Sequence, residues 1–357
     1  MTTQHPIPST VGSATFPEFP RVQRGVWLQI YLGSLPKGKD GLPSLRSIET
    51  RLLPAVRSLG MPGVLFHAGP RHLEKHVARY SRFGVDAGIP FGFAYGLDGE
   101  KDTDGSKLTV EEKGDIMGGI ASGMWGSVLN VPNCEITYDT DTGPEDDMDE
   151  SGALRMGQRA RALAPNAVFI DQPWFAIDSH GEERKVAKPL GQGGTFAGFP
   201  SDEFASWNDA RAPQVYFRNF GIADPMAYRR VVAWHERDWA KHDASLARLN
   251  LARPRTYTLQ MYGHHKRPQD FVHALLLLRD RPVIGWWDDA YFAKQNQWQI
   301  TVACMAAVGQ IVRGGHAPTG RAARDAIRSW QLSLGFSEAE ADGWCGFGTL
   351  KKASLFG

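Results

Sequence analysis

One stretch of the sequence runs from apolar residues directly into carboxylates: "SVLNVPNCEITYD" at 127–139, which contains Glu135 and Asp139. A further carboxylate, Asp171, ends the apolar run "AVFID" at 167–171. Two carboxylates that meet in one cleft can act as general acid and as base or nucleophile on a glycosidic bond. One of them must be held protonated by apolar neighbours or a like charge, while the other stays ionised. Glu135, Asp171 and Asp139 are therefore the candidate catalytic residues.

Aromatic and polar side chains recur at the ends of the other apolar runs. Aromatic rings combine a large apolar face with, in Tyr and Trp, a polar edge, which suits stacking on sugar rings. Acids together with aromatics are what we expect at a glycan-binding site. Neighbouring residues of a strand face opposite sides, so at least one of the two adjacent tryptophans is expected in the core. The candidate substrate-binding residues are Tyr31, Tyr95, Trp174, Asn219, Tyr262, Trp286, Trp287 and Asp288.

The elements that must position these residues follow from an alternation of short apolar runs with amphipathic stretches. Strands separated by helices pair in parallel through crossovers. Eight such units predict a closed (β/α)8 barrel of the TIM type, in which the active site lies at the C-terminal ends of the strands. The loop after the first run, "LGSLPKGKDG", is not the GxGxxG turn of a dinucleotide-binding sheet. The predicted strands are 25–31, 63–67, 90–96, 127–131, 167–171, 213–220, 256–263 and 282–287.

This pattern predicts an α/β protein with three parts. Residues 1–22 form a Pro/Ser/Thr-rich arm, and residues 23–314 form the barrel. Residues 315–357 contain two amphipathic pieces around a turn, and they predict a small C-terminal helical module. A Gly-rich excursion after Asp171 has the position of an active-site lid.

Composition restricts the possible partners. The chain has 357 residues, of which 42% are hydrophobic, so it can bury a large core. Its 40 Lys and Arg nearly balance its 39 Asp and Glu, so we expect no attraction to nucleic acid or to an anionic membrane. The longest apolar run, 300–312, is too short to span a bilayer, so no membrane insertion is expected. No motif calls for a cofactor, and the sequence specifies no oligomeric state.

Histidine and cysteine leave other chemistries open. His67, His264 and His265 follow predicted strands and are the candidates for a metal-dependent amidase or deacetylase. No HxH or HExxH spacing appears, so we assign no metal ligands. Cys134, beside the candidate acids, is a possible nucleophilic thiol. Asp139 lies in an acidic loop that is also consistent with a solvated surface.

The end of the chain resembles the second half of the three-helix peptidoglycan-binding module. The segment "AIRSWQLSLGF…DGWCGFGTLKKASLF" covers about 35 residues. That family carries an apolar-Gln-Leu helix, then Asp-Gly-x-x-Gly-x-x-Thr, then a closing helix, and the resemblance implies binding to a cell wall. The residues that approximate the pattern are Gln331, Leu334, Asp342, Gly343, Gly346 and Thr349.

The predicted barrel resembles, more loosely, the glycoside-hydrolase-like barrels of cell-wall lysins. Those families often place Asp-x-Glu at the end of strand 4, where this chain has Asn133, Cys134 and Glu135. The resemblance implies peptidoglycan or a related glycan as substrate, with Glu135 as the acid. The first-strand aspartate of the muramidase version is replaced by Gln29. These two departures favour a second hypothesis, a non-catalytic glycan-binding protein of a phage-like particle.

The first twenty residues have no basic start followed by an apolar stretch, and so do not predict a Sec signal. Together with the two resemblances, this points to a lysin of phage or prophage type, or to a tail-associated lytic protein. We therefore expect the protein to stay in the cytoplasm until it is released, or to be part of a virion, and to act on the cell wall.

Overall fold

A computed structural model defines the structure of most, but not all, of the predicted elements. The residues that the structure describes are 25–61, 63–89, 91–96, 108–122, 132–135, 150–165, 167, 169–172, 201–212, 236–237, 239–240, 243–244, 246–247, 249–251, 255–261, 268–278, 281–287, 297–315 and 323–355.

Eight strands form one sheet in which every pair of neighbours is parallel. Their order across the sheet is β6-β5-β4-β3-β2-β1-β8-β7. The prediction of an α/β fold with eight parallel strands is confirmed. The strands are β1 (Gly25–Tyr31), β2 (Val64–Ala68), β3 (Phe91–Gly96), β4 (Pro132–Glu135), β5 (Ile170–Gln172), β6 (Ala210–Arg211), β7 (Tyr257–Gln260) and β8 (Pro282–Trp287).

Two predicted strands lie outside the described residues. The fourth was predicted at 127–131, and the structure has β4 immediately afterwards. The sixth was predicted at 213–220, whereas β6 is a two-residue strand that ends just before that range.

The two faces of the sheet bury separate apolar clusters. One cluster combines Trp27, Leu65 and Ala94 with Ile170, Ala210, Ala212 and Ile284. We call the face that carries this cluster the inner face. The alternate residues of the same strands, among them Leu28, Ile30 and Phe66, belong to a larger cluster shared with the helices, as does Phe169 directly before β5. That face is the outer face, and the alternation between the two is the two-residue period of a strand.

The sheet is strongly curled. Gln29 of β1 accepts a 2.8 Å hydrogen bond at Oε1 from Nε2 of Gln172 of β5. These strands are four positions apart in the sheet, so a flat sheet would separate them by roughly 19 Å, beyond the reach of two glutamine side chains. The inner faces of β1 and β5 must therefore face each other.

The two ends of the strand order also come together. Arg211 of β6 forms an isolated parallel bridge with Arg255, which lies two residues before β7. The backbone N–H of Thr256 donates a 3.1 Å hydrogen bond to the carbonyl oxygen of Arg211. β6 and β7, the outermost strands of the order, thus meet at this point.

Helices pack on the outer face between successive strands. A three-residue α turn, Leu45–Ser47 (α1), and a π-helical stretch, Ile48–Leu52, lead into the first longer helix, α2. The α-helices after α1 are α2 (Leu53–Leu59), α3 (Pro70–Asp86), α4 (Val110–Ser122), α5 (Glu150–Leu163), α6 (Ser201–Trp207), α7 (Pro268–Leu278), α8 (Gln297–Arg313), α9 (Ala323–Ser333) and α10 (Phe347–Lys352). None of the helices in the described ranges is long and apolar enough to cross a membrane.

Local sequence signals set several helix ends. Before α4, the Thr109 N–H donates to Glu112 Oε2 (2.8 Å), and the Glu112 N–H donates to Thr109 Oγ1 (3.2 Å). This reciprocal pair is a capping box, which satisfies two otherwise free backbone donors. At the other end of a helix, Gly60 follows α2 with φ +69°, the left-handed conformation that glycine adopts without strain.

Helices α4 and α5 pack closely against each other through glycine. A Cβ at Gly114 would lie 2.5 Å from the carbonyl oxygen of Met156, and one at Gly118 would lie 2.7 Å from that of Ala160. The backbones of the two helices therefore touch along this line. At the exposed edge of the contact between α4 and α5, Arg159 donates two hydrogen bonds of 2.6 and 2.7 Å to Asp115.

Replacing Gly118 by Ala should destabilise the fold by about 1–3 kcal/mol, because the new methyl group meets backbone that cannot move away. The neighbouring Gly119 is the matched control, since a Cβ there has nothing within 4 Å. Gly119→Ala should stabilise by about 0.5–1 kcal/mol through helix propensity. Urea unfolding of both variants measures the difference. Similar stabilities for the two would contradict the close packing of α4 on α5.

The C-terminal segment, which contains α9 and α10, is organised around one buried glutamine. Gln331 Oε1 accepts a 2.8 Å hydrogen bond from the Gly343 N–H. Its Nε2 lies 3.0 Å from Asp342 Oδ1, 3.1 Å from the Trp344 carbonyl oxygen and 3.1 Å from Thr349 Oγ1. Gly343 has φ +75°, which explains the glycine of the Asp-Gly pair. The polar residues of the module-like motif therefore bind one another.

The C-terminal segment packs on the outer-face cluster of the sheet and helices. Ile327, Trp330 and Leu350 belong to the cluster of the outer face. The Trp344 ring stacks on His273 of α7, with centroids 5.6 Å apart and planes at 29°. α7, "PQDFVHALLLL", is buried at nine of its eleven positions, and it contacts both α8 and, in the C-terminal segment, α9.

Gln331→Ala should lower the free energy of unfolding by about 1–3 kcal/mol, since it leaves buried polar partners such as the Gly343 N–H unsatisfied. Leu332→Ala, on the same helix but 36% exposed, is the control. It should change stability by no more than about 0.5 kcal/mol. Chemical denaturation of the full chain measures both. An unaffected Gln331→Ala variant would show that the hydrogen bonds of this residue do not stabilise the C-terminal segment.

Candidate active site at the C-terminal ends of the strands

The inner face ends in neutral amides where β1 and β5 approach each other. Gln29 and Gln172 are both fully buried, and their 2.8 Å hydrogen bond joins opposite sides of the curled sheet. Gln29 is two residues from the C-terminal end of β1, and Gln172 ends β5. This pair forms the floor of a site at the carboxyl ends of the strands. We call it the amide floor.

Glu135 ends β4 and reaches the level of the amide floor. Its register partners are Gly96 of β3 and Gln172 of β5. The strand therefore runs up to the candidate acid itself rather than stopping at Val131. The Glu135 side chain lies outside the described residues, as does Asp139.

Asp171 does not face the site. It stands between Ile170 and Gln172, both of the inner face, and so belongs to the outer face together with Phe169. Its Oδ2 accepts hydrogen bonds from Arg211 Nε (2.8 Å) and Nη2 (2.6 Å). Both side chains are 1% exposed. This placement contradicts the prediction that Asp171 shares a cleft with Glu135, and it gives the residue a structural role as half of a buried ion pair.

Tyr31 and His67 stand at the rim of the site. They are register partners at the ends of β1 and β2, and both continue the inner-face alternation of their strands. Their ring centroids are 5.2 Å apart with planes at 46°. Tyr31 is 38% exposed, whereas His67 is 6% exposed. The predicted substrate-binding position of Tyr31 is thus accessible at the C-terminal end of the sheet.

The remaining candidate substrate-binding residues divide into three groups. Trp287 has no exposed surface and packs in the cluster of the outer face, which contradicts its predicted substrate contact. Its burial agrees with the expectation that one of the two adjacent tryptophans is core. For Tyr95 and Trp286 the structure describes the strand but not the side chain. The candidates that lie outside the described residues altogether are Trp174, Asn219, Tyr262 and Asp288.

Thiol and metal chemistry find little support in the described part of the chain. Burial raises the pKa of the Cys345 thiol to about 12, and it also raises the pKa of Cys304 well above its usual value. Neither thiol is therefore available as a thiolate nucleophile. Among the described residues no group of three or more His, Cys, Asp or Glu side chains could hold a metal ion. Cys134, by its side chain, and His264 and His265 lie outside those residues.

Sequence reasoning missed the partners that define this region. Arg211 gave no signal, because a lone arginine in "NDARA" reads as a loop and its acid lies 40 residues earlier. Gln172 had one usable signal. Gln172 directly follows Asp171 in the sequence, and neighbouring residues of a strand face opposite sides of the sheet. If Asp171 faces the helices, Gln172 must therefore lie on the inner face.

No protein-family model matches this chain, and no curated protein sequence matches it. Solved structures do resemble it in the path of the backbone, and those compared are glycoside hydrolases. An endo-β-1,4-mannanase from Thermotoga petrophila is 11% identical, with a TM-score of 0.48 over 82% of this chain and 77% of that one.

Two further enzymes are similar to the same degree. A glycoside hydrolase family 5 enzyme from Prevotella bryantii is 12% identical, with a TM-score of 0.47 over 81% of this chain and 97% of that one. Endo-glycoceramidase II from Rhodococcus sp. is 10% identical, with a TM-score of 0.48 over 74% and 73%. Such low identities and TM-scores carry no information on substrate or catalytic residues.

Proposed function

We propose that this protein is a glycoside hydrolase that acts on peptidoglycan or a related cell-wall glycan. In this proposal the curled parallel sheet is a (β/α)8 barrel, and its C-terminal mouth is the active site. Glu135 is the general acid, and Asp139 is the base or nucleophile. The protein reaches the wall as a lysin of phage type or as part of a phage particle.

The observation that carries the proposal is the register of β4. It puts Glu135 level with Gln172, which lies on the inner face beside Gln29. Carboxyl ends of parallel strands are where side chains from separate strands converge on a ligand. A carboxylate at this level, with the exposed ring of Tyr31 on the same rim, supports chemistry on a sugar.

A second candidate function is glycan binding without hydrolysis. The observation in its favour is that Gln29 and Gln172 form a neutral floor, while Asp171 is turned away and paired with Arg211. A site that holds one carboxylate binds hydroxyl groups well but lacks the second group of the common two-carboxylate mechanism. This alternative predicts binding to walls with no product.

The products formed from purified cell walls separate the candidates. A glycosidase releases soluble fragments that carry new reducing ends. An amidase releases peptides with new free amino groups and no new reducing ends. A binding protein sediments with the walls and leaves the supernatant free of both. New reducing ends are the expected result, and sedimentation without product would replace the proposal by the second candidate.

A further inference from the structure

The Tyr31 ring has two close neighbours. The His67 ring lies beside it, with the centroids 5.2 Å apart. The ring also lies against the backbone at Gly33, where a Cβ would be 2.9 Å from Tyr31 Cζ and 3.0 Å from its hydroxyl oxygen. Ser34 Oγ donates a 2.8 Å hydrogen bond to the Tyr31 carbonyl oxygen and fixes the turn that contains Gly33.

An exposed aromatic ring that is fixed before the ligand arrives is a good binding platform. Ordering a side chain on binding costs about 0.5–1.5 kcal/mol, and a ring that is already ordered avoids this loss. The Tyr31 ring is 38% exposed, whereas the supporting His67 is nearly buried. His67 therefore cannot offer much surface to a ligand itself, but it determines where Tyr31 stands.

The chemistry around the ring selects the class of ligand. Two residues before Tyr31, Gln29 lies in the neutral amide floor with Gln172. A phenol ring on the same face of the sheet as two neutral amides matches a neutral pyranose unit, which has an apolar C–H face and hydroxyl edges. A phosphate or carboxylate ligand would find no positive charge in Gln29, Tyr31 or Gln172.

We propose that His67 is a positioning residue that, with Gly33, fixes Tyr31 as a stacking platform for a neutral pyranose unit of the glycan. This inference rests on the proposed glycan-directed function for its ligand. The positioning itself does not depend on the ligand, so the two parts can be tested separately.

The positioning is tested without any ligand by NMR of protein that carries ¹³C-labelled tyrosine rings. Tyr31→Phe assigns the signal by its loss. In His67→Ala and in Gly33→Ala the Tyr31 signal should shift and broaden, and in His67→Phe, which keeps a ring, it should stay close to that of the wild type. A Tyr31 signal that His67→Ala leaves unchanged overturns the positioning role. Circular dichroism melting of each variant identifies one that fails to fold.

The ligand is tested by calorimetric titration with two neutral oligosaccharides, chitotetraose and cellotetraose. Tyr31→Ala should weaken binding about 3- to 10-fold and His67→Ala about 3-fold, with His67→Phe close to wild type. Leu163→Ala, an exposed apolar residue on α5, should leave affinity unchanged. Equal affinity in the wild type and Tyr31→Ala overturns the stacking platform. Failure of the wild type to bind any glycan would instead reject the proposed function, while the NMR result still decides the role of His67.

Discussion

Asp171→Ala is expected to destabilise the protein by about 3–5 kcal/mol, because it removes the carboxylate that accepts two hydrogen bonds from the buried Arg211 guanidinium. Both side chains are 1% exposed, so water cannot replace the lost partner. An effect of this size is a large part of the stability of an ordinary domain, about 5–15 kcal/mol. Urea unfolding with a fixed m-value measures it.

The surface pair of Asp115 and Arg159 is the matched control. Its shortest contact is also 2.6 Å, but its side chains are 37% and 55% exposed. Asp115→Ala should therefore change stability by no more than about 1 kcal/mol. Replacing Asp171 by Leu together with Arg211 by Met should cost less stability than Asp171→Ala alone, since both charges are then removed from the interior. Equal effects of Asp171→Ala and Asp115→Ala would contradict the buried pair.

The overall architecture could be read from the sequence because its signal is repeated. The apolar runs at 25–31 and 282–287 coincide with β1 and β8 in the structure. The fourth strand was harder to locate. β4 has the sequence "PNCE", and neither proline nor asparagine favours a strand, whereas the preceding "SVLNV" does. Its pairing with β3 and β5 overrides this local preference.

For the candidate site, the face of the sheet on which each residue lies was harder to predict from the sequence than the strand that carries it. Strands buried on both faces are continuously apolar, so "AVFID" contains no alternation that tells which face Asp171 takes. A shift by one residue exchanges the two faces. The structure resolves this through contacts between distant residues, Gln29 with Gln172 and Asp171 with Arg211, which no local pattern encodes.

Glu135→Gln is expected to lower glycan hydrolysis about 100- to 10,000-fold, the contribution of a positioned general acid or base. Glutamine has nearly the same shape, so the fold and the affinity for the glycan should be retained. Asp171→Asn is the informative comparison. Because Asp171 belongs to the outer face, its variant should lose stability rather than turnover per folded molecule.

Release of new reducing ends from purified cell walls, measured side by side for the wild type and Glu135→Gln at equal folded concentration, tests the central claim most directly. The account predicts steady release by the wild type and nearly none by the variant. Equal release by the two proteins would show that Glu135 is not the acid and that the end of β4 is not where the chemistry takes place.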